Sequence, residues 1–217
     1  FFFKQKTAYE IPKRDWSSDV CSSDLVWTTT DVNGNTASCS QTVTVIDNQL
    51  PTITCATNTT VNANTGQCFA TGVSLGTPTT SDNCGIANTT NNAPTQYNVG
   101  TTTVIWTTTD VNGNTASCSQ TVTVIDNQLP TITCAANTTV NANNGQCFAT
   151  AVSLGTPATS DNCGIANTTN NAPTQYNVGT TTVVWTTTDV NGNTASCSQT
   201  VTVIDNQLPT ITCPANT

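Results

Sequence analysis

Several residue types on which catalysis and electrostatic binding depend are missing from almost all of this sequence. The chain has 217 residues with no His and no Met, and its four Lys and Arg residues and its single Glu all fall within residues 1–25. Residues 26–217 therefore carry eight Asp and no basic residue, which accounts for the formal net charge of −8. Because this region cannot neutralise phosphates, the sequence excludes nucleic acid and anionic membrane surfaces as partners.

The same absences limit catalysis and membrane insertion. Neither a Ser–His nor a Cys–His pair can be built from residues 26–217, and acid–base chemistry would fall to isolated Asp residues. We therefore expect no enzymatic activity, no catalytic residue and no cofactor-binding residue in this region. A catalytic domain elsewhere would make it an accessory region of a larger secreted enzyme. No apolar run approaches the roughly 18–20 residues that span a bilayer, so we expect no membrane insertion.

The first 25 residues differ in composition from everything that follows. Their two constant parts, "KQKTAYEI" and "DWSSDVCSSDL", resemble the conceptual translation of a sequencing adapter with a variable index between them. We interpret residues 1–25 as a non-native, adapter-derived segment and exclude it from reasoning about the fold. This exclusion removes Cys21 from the cysteine count, and it leaves the native start and any export signal outside the sequence.

Ten cysteines remain, with spacings of 16, 13, 16 and 34 residues that then repeat. They contain no C-x-x-C pair and have no His beside them, so a zinc site is not indicated. An even, regularly spaced set of this kind is typical of a disulfide framework formed in an oxidising compartment. We therefore expect an extracellular or cell-surface location.

The chain repeats with a period of 79 residues. Trp27, Trp106 and Trp185 are spaced by this period, and residues 26–104 match residues 105–183 almost letter for letter. A period near 80 is too long for a solenoid unit and suits a tandem array of small domains. Boundaries at Asp47/Asn48 and Asp126/Asn127 give the end of a truncated module, two complete modules and the first strand of another, at residues 26–47, 48–126, 127–205 and 206–217.

The repeated unit predicts an all-β fold. In "TASCSQTVTVI" (115–125), Cys118, Gln120, Val122 and Val124 share one face and Ser and Thr residues occupy the other, which is typical of a half-buried strand. An Asn-Gly pair between this strand and the preceding one predicts a hairpin with a type I′ turn. About seven short strands in each period indicate an immunoglobulin-like sandwich.

Three motifs carry a resemblance to a known family. "DNQLPTITC", "GQCFATAVSLGTPATSDNCG" and "YNVGTTTVVWTTTDVNGNTASCSQTVTV" closely resemble the hyalin repeat (HYR) module, and the match covers essentially all of residues 26–217. The resemblance implies an immunoglobulin-like sandwich and a role in extracellular adhesion, as in multi-repeat surface proteins of bacteria. Near-identical copies favour a stalk or spacer that contacts neighbouring modules. The alternative is that the repeats themselves bind glycan, protein or calcium.

Four cysteines in each module allow three connectivities. Cys55 lies on the first predicted strand and Cys118 on the last, so a bond between them would join the two ends of the module. The remaining pair would be Cys68–Cys84, and the next module would have Cys134–Cys197 and Cys147–Cys163. Cys39 and Cys213 would lack partners because the sequence is truncated.

The stretch "DVNGN" (110–114) has two interpretations. Asp110, Asn112 and Asn114 have the spacing that opens an EF-hand loop, but a Gly stands at the fourth position and Thr121 at the twelfth, so that motif fails. A weak calcium site between modules could join Asp126 to Asp110 or Asp82. The simpler alternative is a hairpin tip in which Asp110 accepts hydrogen bonds from turn amides. The calcium candidates are Asp110, Asn112, Asp126, Asp189, Asn191 and Asp205.

Overall fold

The computed structural model describes residues 9–10 and 21–214, with side chains from residue 24 onward. All regular elements in this part of the chain are β-strands, which confirms the predicted all-β class. Within the same residues there is no helix long and apolar enough to cross a membrane.

Each repeat contains eight strands. Ahead of the first complete repeat lie β1 (Tyr9–Glu10), β2 (Cys21–Thr30) and β3 (Thr36–Val45). The first complete repeat contains β4 (Thr52–Thr54), β5 (Thr59–Asn62), β6 (Phe69–Thr71), β7 (Thr79–Ser81), β8 (Ile86–Asn91), β9 (Gln96–Asn98), β10 (Gly100–Asp110) and β11 (Thr115–Ile125). The second contains β12 (Thr131–Thr133), β13 (Thr138–Asn141), β14 (Phe148–Thr150), β15 (Ala158–Ser160), β16 (Ile165–Asn170), β17 (Gln175–Asn177), β18 (Gly179–Asp189) and β19 (Thr194–Ile204).

The second repeat shows the arrangement of the strands. It lies within one compact unit, which comprises Thr60–Val73, Thr95–Thr101 and Thr123–Thr217. Its main sheet has the order β13-β19-β18-β16, in which β13 runs parallel to β19 and the other pairs are antiparallel. Two ribbons, β12-β15 and β14-β17, complete the module, and strands β12 and β17 pack against β18 and β19. The first repeat has the same main-sheet order, β5-β11-β10-β8.

The core lies between the main sheet and the ribbons. In the second repeat it consists of Ala149, Tyr176, Val183, Trp185, Val201 and Val203. The equivalent residues of the first repeat are buried to a similar extent. The strict alternation predicted for β11 is confirmed, because Gln120, Val122 and Val124 are buried while Ser117 and Ser119 are exposed. Small β-branched residues on a period of two thus build the core around one Trp and one Tyr.

A fully buried glutamine connects the core of the second repeat to its loops. The Nε2 atom of Gln199 donates hydrogen bonds to the carbonyl oxygens of Ala136 (2.7 Å) and Leu154 (2.8 Å). Its Oε1 atom accepts one from Nε1 of Trp185 at 3.0 Å. Every polar atom of this side chain is therefore satisfied, as burial requires.

The hairpin tip is not the type I′ turn predicted from Asn-Gly. Type I′ needs positive φ at both central residues, whereas in "DVNGN" of the first repeat only Gly113 has one, at 91°. The amide of Gly113 donates a hydrogen bond to the carbonyl oxygen of Asp110. The amide of Asp110 donates one to the carbonyl oxygen of Asn114. This is a three-residue loop ending in a left-handed glycine. The carboxylate of Asp110 stabilises it by accepting hydrogen bonds from the amides of Asn112 (2.9 Å) and Asn114 (2.8 Å).

The described residues contain three disulfides, and one of them differs from expectation. Cys55–Cys118 and Cys134–Cys197 join the pairs expected from the sequence. Cys68, however, is bonded to Cys163 of the following repeat, which contradicts the expected pairs Cys68–Cys84 and Cys147–Cys163.

The reason for this pairing is local. The turn that carries Cys163 lies beside Cys68, because Nδ2 of Asn162 donates a hydrogen bond to the carbonyl oxygen of Gln67 at 2.9 Å. The exposed Cys147 forms no disulfide in the described residues, and neither do Cys39 and Cys213.

The last described residues also differ from expectation. Residues 206–217 are predicted to form the first strand of another truncated module, but their described part, residues 206–214, contains no strand. The equivalent strand of the second repeat, β12, exists through antiparallel pairing with β15. The counterpart of β15 would fall beyond residue 217, so the segment has no partner with which to form a ladder.

Candidate metal centre

Three aspartates converge in each complete repeat. In the second repeat they are Asp126, Asp161 and Asp189, and each offers a carboxylate oxygen within 4.8 Å of those of the other two. In the first repeat Asp47, Asp82 and Asp110 form the equivalent group. Each group combines the residue just before the module, a turn after the fourth strand, and the tip of the long hairpin. We call these groups the second and the first carboxylate cluster.

Asp189 is held by the hairpin tip. It is 1 % exposed. Its Oδ1 atom accepts hydrogen bonds from the amides of Asn191 and Asn193, both at 2.8 Å, and its Oδ2 atom accepts one from Nδ2 of Asn193 at 2.8 Å. Burial by itself would raise the pKa of Asp189, but these hydrogen bonds outweigh it and lower the pKa below the usual value. The site therefore favours the charged carboxylate.

Asp161 begins the "DNCG" turn. Its Oδ2 atom accepts hydrogen bonds from the amides of Cys163 (2.8 Å) and Gly164 (3.1 Å). The carbonyl oxygen of Gly164 accepts a hydrogen bond from the amide of Val190 in the hairpin tip at 3.1 Å, which brings this turn next to Asp189. The other carboxylate oxygen of Asp161, Oδ1, is buried and has no hydrogen-bond partner.

Asp126 enters the cluster from the start of the repeat. Its Oδ1 atom accepts hydrogen bonds from the amide of Gln128 (3.1 Å) and from Nδ2 of Asn162 (3.2 Å), and its carbonyl oxygen accepts one from Nδ2 of Asn193 (3.2 Å). Its Oδ2 atom is buried with no partner. Amide donors from both turns therefore fix Asp126 while one of its oxygens stays available.

The structure divides the six calcium candidates into three groups. Asp110, Asp126 and Asp189 lie in the clusters, but Asp126 joins Asp161 and Asp189 rather than Asp110 or Asp82. Asn112 and Asn191 donate backbone amides to the cluster aspartates. Asp205 belongs to neither cluster, and its Oδ1 atom accepts a hydrogen bond from the amide of Gln207 at 3.0 Å.

Sequence reasoning did not identify Asp47 and Asp161 as members of a site. The repeated "DNCG" motif was an available signal, because Asp followed two and three residues later by turn amides is a local capping pattern. The sequence suggested this relationship for Asp82 of the first repeat but did not extend it to Asp161, because the motif is distant from the hairpin tip along the chain. The bond between the carbonyl of Gly164 and the amide of Val190 makes the two turns neighbours.

Comparison with known proteins identifies one family model. The model described as the HYR domain matches residues 46–124 and 125–203. No curated protein matches the chain.

Solved structures similar to the chain include cadherin ectodomains. Protocadherin Gamma B2 extracellular cadherin domains 3-6 is 13 % identical, with a TM-score of 0.35, over 84 % of this chain and 57 % of that one. Drosophila N-cadherin EC1-4 is 10 % identical, with a TM-score of 0.39, over 85 % and 58 %. Mouse Cadherin-23 EC22-24 is 12 % identical, with a TM-score of 0.34, over 88 % and 77 %. The chain thus spans less than two thirds of the length of the first two.

Proposed function

Because the chain belongs to the HYR domain family, we propose that it is a non-catalytic part of an extracellular or cell-surface adhesion protein, in which the repeats act as a stalk or spacer. The modules would extend from residue 48 to 126 and from 127 to 205. Disulfide bonds support this location, because they persist in oxidising compartments.

The observation that carries the proposal is the disulfide between Cys68 and Cys163. It connects one repeat to the next by a covalent bond in addition to the backbone. The hydrogen bond from Nδ2 of Asn162 to the carbonyl oxygen of Gln67 lies beside it. Such a bond restricts the movement of successive modules and adds no chemistry of its own, which suits a spacer better than a set of independent binding domains.

The near-identity of the repeats supports the same function. The second repeat has its own core, and the first repeat buries the equivalent residues and has nearly the same sequence, so an additional copy adds length without adding a different surface. The charge is consistent with this role, since an array with Asp as its only ionised residue type repels its neighbours at low salt.

The test is to change the length of the array and measure reach separately from binding. The chain would be displayed on a surface with a fluorescent reporter at its free end and compared with a variant in which residues 127–205 are duplicated. We expect the reporter to lie further from the surface in the longer variant, while neither variant binds cells or a glycan array. Strong glycan or cell binding that increases with copy number, at unchanged reporter height, would instead identify the repeats as adhesion modules.

A second candidate function, binding by the repeats themselves, has one observation in its favour. The carboxylate clusters occur at the same positions in both repeats and retain buried oxygens without donors. That observation favours a cation over a glycan or a protein as the ligand.

A further inference from the structure

We propose that each carboxylate cluster is a calcium site. In the second repeat the ligands are Asp126, Asp161 and Asp189, and the first repeat has the same site at Asp47, Asp82 and Asp110. The proposal does not depend on the spacer function, since a site of this kind would serve a spacer and an adhesion module equally.

The distances suit calcium. Oxygen ligands lie about 2.3–2.6 Å from Ca²⁺, so two oxygens on one ion are separated by at most about 5 Å. The carboxylate oxygens of each cluster lie within 4.8 Å of one another. Mg²⁺ binds at about 2.0–2.1 Å with strict octahedral geometry and retains several waters, which makes it a poorer match for an all-carboxylate group of this span.

An independent observation comes from the hydrogen bonding. Asp126 is only 5 % exposed, yet its Oδ2 atom has no hydrogen-bond partner, and the same is true of the buried Oδ1 atom of Asp161. The equivalent atoms of the first repeat, Oδ2 of Asp47 and Oδ1 of Asp82, are also buried without a partner. Buried carboxylate oxygens are rarely left unpaired. Four of them in two matching pairs indicate that a ligand other than a protein donor belongs there.

Charge leads to the same conclusion. Residues 26–217 contain no Lys, Arg or His that could neutralise three adjacent carboxylates. Backbone and asparagine amides hold one oxygen of Asp126 and one of Asp161 and orient the carboxylates, but amides carry no formal charge. A divalent cation supplies the missing positive charge.

A cleft lies beside the second cluster. A shallow cleft of about 330 Å³ is lined by Asp161, Asn162, Ser160, Gln128 and their neighbours. Ca²⁺ takes six to eight oxygens, so further oxygen ligands must complete the coordination, and Asp161 is the cluster member that lines this cleft.

The test is equilibrium dialysis of the oxidised 217-residue chain against CaCl₂, with MgCl₂ in a parallel series. We expect one Ca²⁺ per cluster, with dissociation constants of about 10⁻⁴–10⁻³ M and weaker binding of Mg²⁺. Calcium should also raise the thermal midpoint of the chain, and EDTA should reverse the rise.

Isosteric variants assign the sites. Asp161→Asn and Asp82→Asn keep an oxygen that can accept the turn amides but lose the charge, and each should reduce the bound calcium by half. The double variant should bind none. Asp205→Asn is the matched control, because Asp205 occupies the same position in the repeat as Asp126 but belongs to no cluster, and its stoichiometry should equal that of the unmodified chain. Circular dichroism checks that each variant is folded.

Three results would overturn the proposal. They are a folded chain that retains no calcium at millimolar concentration, a folded double variant that retains as much as the unmodified chain, and equal binding of magnesium. The reporter-height experiment depends on none of these results, so the two proposals can fail separately.

Discussion

At the scale of single residues, the polar side chains in the core matter as much as the apolar ones. With Val as the commonest core residue, each repeat has little large apolar surface to bury. Gln199 and its counterpart Gln120 are fully buried and each makes three hydrogen bonds, which tie two loops to the central strands and fix the indole of the core Trp. These side chains specify loop positions that Val residues alone could not.

Replacing Gln199 with Met should destabilise the second repeat. The substitution keeps the length of the side chain but leaves Nε1 of Trp185 and the carbonyl oxygens of Ala136 and Leu154 without their partner. We expect a loss of about 2–4 kcal/mol in the free energy of unfolding. Urea denaturation followed by circular dichroism should show a separate, earlier transition.

The matched control for that variant is Gln41→Met. Gln41 stands at the same place in the repeat and accepts a hydrogen bond from Trp27, but it is exposed. Its replacement should change the free energy of unfolding by no more than about 0.5 kcal/mol. An equal effect of both substitutions would show that burial of the glutamine is not what matters.

At the scale of elements, the long hairpin is the main organising feature of each repeat. Its strands β18 and β19 form the centre of the main sheet, and its tip presents Asp189 to the second cluster. The tip depends on a left-handed residue at Gly192, with φ of 93°. A Cβ atom built there would meet nothing within 4 Å, so only backbone conformation requires glycine at this position.

Gly192→Ala should therefore lower the free energy of unfolding of the second repeat by about 1–2 kcal/mol, the cost of a left-handed conformation for an L-residue. Gly192→Asn should cost clearly less, because Asn tolerates that conformation. Thermal unfolding of both variants measures the difference. Equal losses would mean that space, not φ, constrains the position.

At this scale the inner face of the hairpin strand β11 could be predicted from the sequence, whereas the predicted type of the hairpin turn was wrong. Alternation placed Gln120, Val122 and Val124 on the inner face of β11, because a period of two leaves no other choice when one face is buried. The turn type was wrong because Asn-Gly pairs are also compatible with a three-residue loop, and the carboxylate of Asp110 favours the latter by bonding two of its amides.

At the scale of the whole molecule, the pairing of cysteines follows contacts that spacing does not reveal. Once Cys55 pairs with Cys118, Cys68 and Cys84 are the two cysteines that remain in the module, which predicts a bond between them. Cys68 instead pairs over 95 residues, because the asparagine next to Cys163 binds the backbone beside Cys68. The carboxylate clusters were only partly foreseen for the same reason, since each joins three turns that are distant in sequence. The modular boundaries at residues 48, 126, 127 and 205 stay a prediction.

Duplicating residues 127–205 tests whether the bond between repeats is a general rule of the array. In the longer chain Cys147 would precede a second copy of Cys163 by the same 95 residues that separate Cys68 from Cys163. We expect Cys147 to become bonded to that copy. Mass spectrometry of non-reduced peptides, after cleavage at Asp residues, identifies the pair.

A matched variant of the longer chain serves as the control for this bond. Replacing the second copy of Cys163 with Ser should leave Cys147 as a thiol that reacts with an alkylating reagent. Finding Cys147 bonded to the first Cys163 in either chain would show that spacing within a module, and not the contact at Asn162, determines the pairing.

The overlapping disulfides also determine how the chain would respond to pulling and to cutting. When the chain is pulled at its ends, the loops closed by Cys55–Cys118 and Cys134–Cys197 bear no tension, so between Cys55 and Cys197 only the segment from Cys118 to Cys134 can lengthen when both modules unfold. Those 16 residues extend to roughly 55 Å. A single backbone cut within that segment would still leave the repeats joined through Cys68–Cys163. The oxidised chain should therefore hold a load without stretching far and survive a protease nick between its modules, until a reductant opens the bonds.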